Sequence, residues 1–429
     1  MLERLFKLSE HSTTVRTEVV AGVTTFLTMV YIVFVNPAML AEAGMDSGAV
    51  FTATCLAAAV GTLIMGLWAN YPIALAPGMG LNAYFTYGVV NGMGYTWQVA
   101  LGAVFLSGCL FVLLSLFKVR EWIIDAIPRS LKLSISAGVG LFLGFIGLQK
   151  AGIVVDHPAT LVTLGDLGQP AVWLAAVGFV TMVVLDARKV AGSIVIAILG
   201  VTLVAITWGL TDFHGVVAQP PSLAPTFLQM DLSGAFQVGL IAIVFAFLFV
   251  DLFDTAGTLI GVAHQGNLLD ERGRLPRLGR ALLADSTATV AGAALGTSTT
   301  TSYIESTLGI QAGGRTGLTA VTVGLLFLCC LFFAPLAETV PAFATAPALV
   351  YVACLMTRGL AGVDWEDVTE AAPAVVTAIA MPLTFSIATG IGLGFLCYVA
   401  IKLLAGRVRD LNWAIAVISV LFLVKFIVV

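Results

Sequence analysis

Long apolar runs separated by short polar or turn-rich segments fill this chain, and most runs are close to the roughly 20 residues a helix needs to cross a bilayer. The pattern predicts spans over 18–40, 49–69, 72–92, 97–117, 130–149, 171–186 and 191–209, then over 237–262, 279–295, 297–311, 316–336, 341–357, 372–387 and 389–405. An all-α polytopic membrane protein with 14 transmembrane spans follows. The last apolar stretch, Leu411 to Val429, fits either a fifteenth span or an interfacial helix. Before the first run, MLERLFKLSEHSTTVRTE is polar and amphipathic, which predicts a surface helix in place of a cleavable signal peptide.

Composition excludes an ordinary soluble domain: 59% of residues are hydrophobic, 10% are charged and the mean hydropathy is +1.03. Charge then orients the threading. With the N-terminus inside, every one of the 20 basic residues except Lys150 and Lys425 falls on the cytoplasmic side, and Leu210 to Phe236 holds no Lys or Arg. A multi-pass protein of the cell (inner) membrane with a cytoplasmic N-terminus is expected. The cysteines (Cys55, Cys109, Cys329, Cys330, Cys354, Cys397) all lie in apolar runs without a CxxC, and the histidines (His11, His157, His214, His264) stand singly. Neither pattern has metal-ligand spacing, so no metal and no organic cofactor is expected.

Polar residues inside the runs are the informative exceptions. Asp251 and Asp254 interrupt the run from Val238 to Val262, and each carboxylate at mid-membrane depth costs about 2.5–3.5 kcal/mol on insertion scales unless something relieves it. At spacing i, i+3 they share a helix face, where burial and mutual repulsion both favour a bound proton on at least one. Two other runs oppose a continuous helix. The third holds Pro72, Pro77, Gly78 and Gly80, and the tenth begins Gly296-Thr-Ser-Thr-Thr-Thr-Ser. At an offset of 218 these two breaks coincide, and Asn36-Pro37, a break expected in the first span, falls opposite Asp254-Thr255. Seven spans per half would return the second half upside down, so a 7+7 inverted repeat is expected, with a substrate site near the midplane where broken helices meet.

Three stretches, NYPIALAPGMGLNAYF (Asn70 to Phe85), FVDLFDTAGTL (Phe249 to Leu259) and GTSTTTSYIESTLGIQAGGRTGLTA (Gly296 to Ala320), closely resemble the AzgA-like purine permeases, a branch of the nucleobase:cation symporter-2 family. The likeness runs over essentially the whole chain. It implies short antiparallel strands in spans 3 and 10, and a core domain of residues 1–117 and 236–336 carrying substrate. A gate domain of residues 118–235 and 337–429 would complete the fold, and a homodimer is the assembly it implies. The family pattern also places acidic residues of spans 8 and 10 on the base, here Asp251 or Asp254 and Glu305, with Asn82 from span 3. Relatives taking uracil or xanthine commonly carry Glu or Gln at these places.

A purine is a flat neutral ring edged with N–H donors and N or O acceptors, so its site needs carboxylates, amides and hydroxyls on the edge and apolar surface on the faces. Guanine could donate two parallel bonds to one carboxylate, a strong charge-assisted pairing. Glu305 leads for that role and Asp254 is its rival. Thr28, Thr301, Ser302 and the backbone beside Tyr303 and Ile304 are further candidate contacts. Phe26, Phe253 and Tyr303 are candidate stacking rings, although each also fits ordinary packing. Asp251, Asp254 and Glu305 are expected to share proton binding. A neutral base imported with one proton gains about 2.3 kcal/mol per 100 mV, so the expected activity is purine import by proton symport.

Other classes fit less well. A uracil or xanthine transporter of the same fold stays open. An anion exchanger would want a positive site, and no Lys or Arg lies inside a span away from its ends. Intramembrane aspartyl proteases need a GxGD motif that this chain lacks, and the Gly-x-Gly pairs at Gly78, Gly138 and Gly390 lie within spans, where they signal packing or unwinding. No enzyme activity is expected.

Overall fold

The computed structural model describes residues 2–116, 127–235, 238–266, 268 and 275–428. Among them eight helices are long and apolar enough to cross a membrane, and shorter apolar helices accompany them. The principal helices are α1 (Val15–Met29), α2 (Ile32–Ala41), α3 (Ser47–Ile64), α4 (Met79–Ala83), α5 (Trp97–Leu116), α6 (Arg129–Lys150), α7 (Pro170–Ala187) and α8 (Ser193–Thr207). The second half continues with α9 (Val238–Gln265), α10 (Leu278–Leu295), α11 (Ser306–Gln311), α12 (Gly317–Cys330), α13 (Ala342–Thr357), α14 (Val368–Leu383), α15 (Ile387–Leu404) and α16 (Trp413–Val428). They pack as two bundles: α1 to α5 with α9 to α12, and α6 to α8 with α13 to α16. Each bundle therefore draws on both halves of the chain, as an inverted repeat requires.

The two predicted helix breaks meet. Strand β1 (Leu75–Pro77) pairs antiparallel with β4 (Thr300–Ser302), in the register Leu75 to Ser302, Ala76 to Thr301 and Pro77 to Thr300. Backbone groups beside the pair are also satisfied: Gly78 N–H donates to Thr299 O and Tyr303 N–H to Ala74 O, both at 2.9 Å, while the Thr62 hydroxyl bonds both the N–H and the C=O of Leu75 at 2.9 Å. Extended backbone can sit at this depth because these backbone groups find partners within protein. A second hairpin, β2 (Val154–His157) with β3 (Leu161–Leu164), caps a loop and was not foreseen; its residues are mostly exposed.

The break in the first span differs from expectation. Pro37 sits inside α2, and the interruption falls at Val30-Tyr31, between α1 and α2. Asn36 stays helical and is tied down by its own side chain, whose Nδ2 donates to Thr54 Oγ1 (2.7 Å) and Thr297 Oγ1 (2.9 Å).

Close approach holds the first bundle together. A Cβ on Gly317 of α12 would lie 1.9 Å from the carbonyl oxygen of Gly66, so only glycine lets these two segments touch. Fully buried Glu18 of α1 accepts the Arg315 N–H (2.9 Å) and the Thr319 hydroxyl (2.6 Å), capping the start of α12. In the second bundle α16 runs back along α15: Ser419 donates to Phe395 O, the Phe395 and Phe422 rings stack, and Gly392 faces Phe422 and Phe426. The stretch from Leu411 is thus a helix packed antiparallel to its predecessor. At the short end, Leu2–Phe6 is helical and buries Phe6.

Candidate functional site

Helix α9 carries both expected aspartates, and the structure sends them to different neighbours. Asp251 is fully buried inside the first bundle; its Oδ2 accepts from the Thr289 hydroxyl of α10 (3.2 Å) and its Oδ1 lies 3.4 Å from the Thr255 hydroxyl. The Thr255 oxygen is also 2.8 Å from Asp285 Oδ2 and 2.8 Å from Thr301 Oγ1. Asp285 of α10, fully buried, accepts both the N–H (2.9 Å) and the hydroxyl (2.8 Å) of Ser302 through Oδ1. One hydroxyl carries one proton, so Thr255 donates to Asp285 at 2.8 Å and can accept in turn from the Thr301 hydroxyl, which leaves the 3.4 Å approach to Asp251 as the weakest contact of the knot.

Asp254 turns instead to the seam between the bundles. It is half-buried and lines a cavity of about 10 Å³ with Gly80 and Leu81 beside β1, Ile135, Ser136 and Val139 of α6, and Met356 of α13. Its electrostatic neighbours include Asp285 and Glu305, and no described side chain hydrogen-bonds it. The space holds about one water, far below the roughly 300–1,000 Å³ of ligand pockets. The seam is closed tightly: a Cβ on Gly80 would lie 2.2 Å from Val139 Cγ1. Admitting a ring here requires the bundles to part.

Glu305 stands where β4 leads into α11. It is half-buried, and its Oε1 accepts the Tyr31 hydroxyl at 2.8 Å. Tyr31 is fully buried at the break between α1 and α2, so the misplaced break in the first span has a role: it delivers a phenol to the acidic residue of the tenth. Neither Asp254 nor Glu305 forms an ion pair with a described Lys or Arg.

The other expected contacts divide. Asn82 is fully buried; its Oδ1 accepts the Ser298 hydroxyl, and its Nδ2 has no partner among the described residues, leaving a donor available. Tyr303 spends its hydroxyl on Pro77 O (2.5 Å), locking β4 to β1. Thr301 and Ser302 give their hydroxyls to the Asp251–Asp285 knot, away from the cavity beside Asp254. Thr28 bonds back to Thr25 O in its own helix (2.7 Å), Phe26 packs edge-on against Phe327 (5.3 Å), and Ile304 is 46% exposed. The Phe253 side chain lies outside the described residues.

Sequence reasoning missed Asp285, Thr255, Thr289 and Tyr31. Asp285 had a clear signal, since it is a carboxylate inside an apolar run and incurs the same insertion cost as Asp251. Thr255 follows Asp251 at i+4 on the same helix face. Nothing local marked Tyr31.

Comparisons with known proteins cover most or all of the chain. A family model described as Permease family (Xan_ur_permease) matches residues 16–393. The chain is 50% identical over 427 residues to the adenine permease AdeP of Escherichia coli (strain K12), covering 100% of this chain and 96% of that protein. It is 46% identical over 432 residues to the guanine/hypoxanthine permease PbuO of Bacillus subtilis (strain 168), covering 99% and 100%. Among solved structures, the transmembrane domain of the cyanobacterial bicarbonate transporter BicA aligns with a TM-score of 0.67 at 16% identity, over 88% of this chain and 97% of that one. Murine Slc26a9 in its inward-facing state aligns at 0.65 and 12% identity, over 92% and 68%. At such low identity these structures establish the shared inverted-repeat fold and nothing about substrate.

Proposed function

Because the chain belongs to this permease family, and is therefore a transporter, we propose that it imports a purine nucleobase (guanine, hypoxanthine or adenine) by proton symport. The observation that carries this reading is the electrostatic proximity of Asp254 and Glu305, neither of which forms an ion pair with a Lys or Arg among the described residues. A neutral purine edge offers N–H donors to such carboxylates, and an anion would be repelled. Tyr31 orients Glu305 by holding one of its oxygens, and Asn82 Nδ2 supplies a donor for a ring nitrogen or carbonyl.

In this reading the first bundle is the substrate-carrying core and the second is the gate, in a cell membrane with the N-terminus cytoplasmic. The buried Asp251–Asp285 knot and the carboxylate of Asp254 take up the coupling proton. The proton neutralises charge that would otherwise cross the membrane core with the base. The names of relatives that take adenine and guanine/hypoxanthine favour purines over uracil, and the shared fold with a bicarbonate transporter does not extend to a positive site.

The test is uptake of radiolabelled hypoxanthine, guanine, adenine, uracil and sulfate into proteoliposomes, with and without an inward proton gradient. Purine uptake that rises with the gradient is expected. Sulfate uptake, or indifference to the gradient, overturns the reading.

A further inference from the structure

At one end of the seam the bundles are joined twice over. Glu42, at the end of α2, accepts the Tyr87 hydroxyl (2.9 Å) and forms an ion pair with Lys150, the last residue of α6. The Lys150 ammonium also lies 5.8 Å from the centre of the Tyr87 ring, within cation–π range. Among the described residues this is the one ion pair linking the two bundles. Lys150 is 13% exposed and Glu42 44%, so the pair sits at the rim of the seam.

Beneath it lies an aromatic layer. Phe385, in the turn between α14 and α15, sets its ring edge-on to Tyr87 of the first bundle (6.3 Å) and to Phe142 (5.4 Å) and Phe145 (5.7 Å) of the second. It does so with φ at +52°, a left-handed conformation that bulky side chains rarely adopt and that persists only where surroundings enforce it. The order along both walls is the same. On α6, Ile135 and Val139 touch the Asp254 cavity, Phe142 and Phe145 meet Phe385, and Lys150 pairs with Glu42; on the facing wall, Gly80 and Leu81 are followed by Tyr87. From Val139 to Lys150 is roughly 16 Å at 1.5 Å per residue.

We propose that the Glu42–Lys150 pair and the Phe385 wedge are the two layers of a gate that shuts this end of the substrate path and must separate once in every transport cycle. The ion pair supplies an orientation-specific closure, and the ring cluster excludes water from the carboxylates behind it. Tyr87 belongs to both layers, so they open together.

Two measurements test this. In a background with the native cysteines replaced, the double variant Glu42→Cys/Lys150→Cys is bridged with a bis-methanethiosulfonate reagent whose spacer replaces the length of the two native side chains, and assayed for purine uptake. A bridge that lowers uptake about tenfold or more, reversed by reductant, is expected; full uptake by the bridged protein, or a pair that no spacer of that length bridges, overturns the gate. The second uses Ser136→Cys, beside Asp254, as a reporter for a membrane-impermeant maleimide applied from the face that carries Lys150. Adding Lys150→Met should raise its labelling rate several-fold, with Glu42→Gln doing the same; unchanged rates overturn the proposal. Only the uptake arm rests on the transport reading above. A wild-type protein that takes up no base fails that reading, while labelling still decides the gate.

Discussion

Two clusters of carboxylates, one from each bundle, have partners that differ in kind. In the first bundle Asp251, Asp285 and Glu305 are met by hydroxyls and a backbone N–H from Thr255, Thr289, Ser302 and Tyr31. In the second, Glu370 and Asp410 both contact the ammonium of Lys402 (2.7 and 3.2 Å), Asp367 pairs with Arg407, and Ser130 and Tyr398 add bonds to Glu370. Lys402 is only 1% exposed. Neutral donors leave a carboxylate's charge uncompensated, so it can exchange that charge for a proton; a cation at contact distance fixes it. The same functional group is thus met mainly by neutral donors in one cluster and by cations in the other, and in the proposed reading the first cluster is the working part and the second a fastening.

This contrast can be broken most forcefully at Glu305. Glu305→Gln should abolish base binding and lower uptake by two orders of magnitude or more, with Tyr31→Phe giving a milder rise in KM at nearly unchanged maximal rate; unaltered affinity in equilibrium binding would remove Glu305 from the site. Asp254→Asn should follow, losing stimulation by an inward proton gradient while base-for-base exchange persists. Uptake that still responds to the gradient would place the proton elsewhere. On the fastening side, Lys402→Met leaves Glu370 without its cation and should cost about 3–5 kcal/mol of stability, read as a lower melting temperature in detergent, with uptake per folded molecule preserved. The smallest effect belongs to Asp367, whose carboxyl is held at about 2, first by the Thr369 hydroxyl and then by Arg407. A lowered value means stability that is present above about pH 4 and lost as pH falls toward 2. Melting curves across that window should show the loss in wild type and a smaller one in Asp367→Asn.

Much of this architecture was legible in the sequence because membranes penalise polarity so heavily. The apolar runs marked the helices, and Pro77, Gly78 and the Thr/Ser run from Thr297 marked the two strands, since none of these residues favours a helix at such depth. Asp251, Asp254 and Glu305 stood out for the same reason, as Asp285 should have. Proline misled at position 37. It is tolerated well inside α2, and the true interruption, at Val30-Tyr31, involves residues with no strong aversion to helix. The spacing of Asp251 and Asp254 gave their direction around the helix axis and not the identity of what each would meet, which depends on how α10 and α6 pack against α9. The fastening cluster was invisible for a similar reason: Lys402, Arg407 and Glu370 read as charges at span ends, and only their packing makes them a network.

The pairing of β1 with β4 also sets a timetable for making the protein. Residues 75–77 find their hydrogen-bonding partners at residues 300–302, and a ribosome working at about 5–20 residues per second needs roughly 10–45 s to cover that interval. Until then the extended segment has no strand to complete it, and exposed N–H and C=O groups in lipid cost several kcal/mol each. Newly inserted chains must wait with that segment sheltered by water, by an insertion factor or by temporary helical structure. The first half, made alone, lacks the means to finish its own centre, so the two halves are interdependent in biosynthesis as well as in shape.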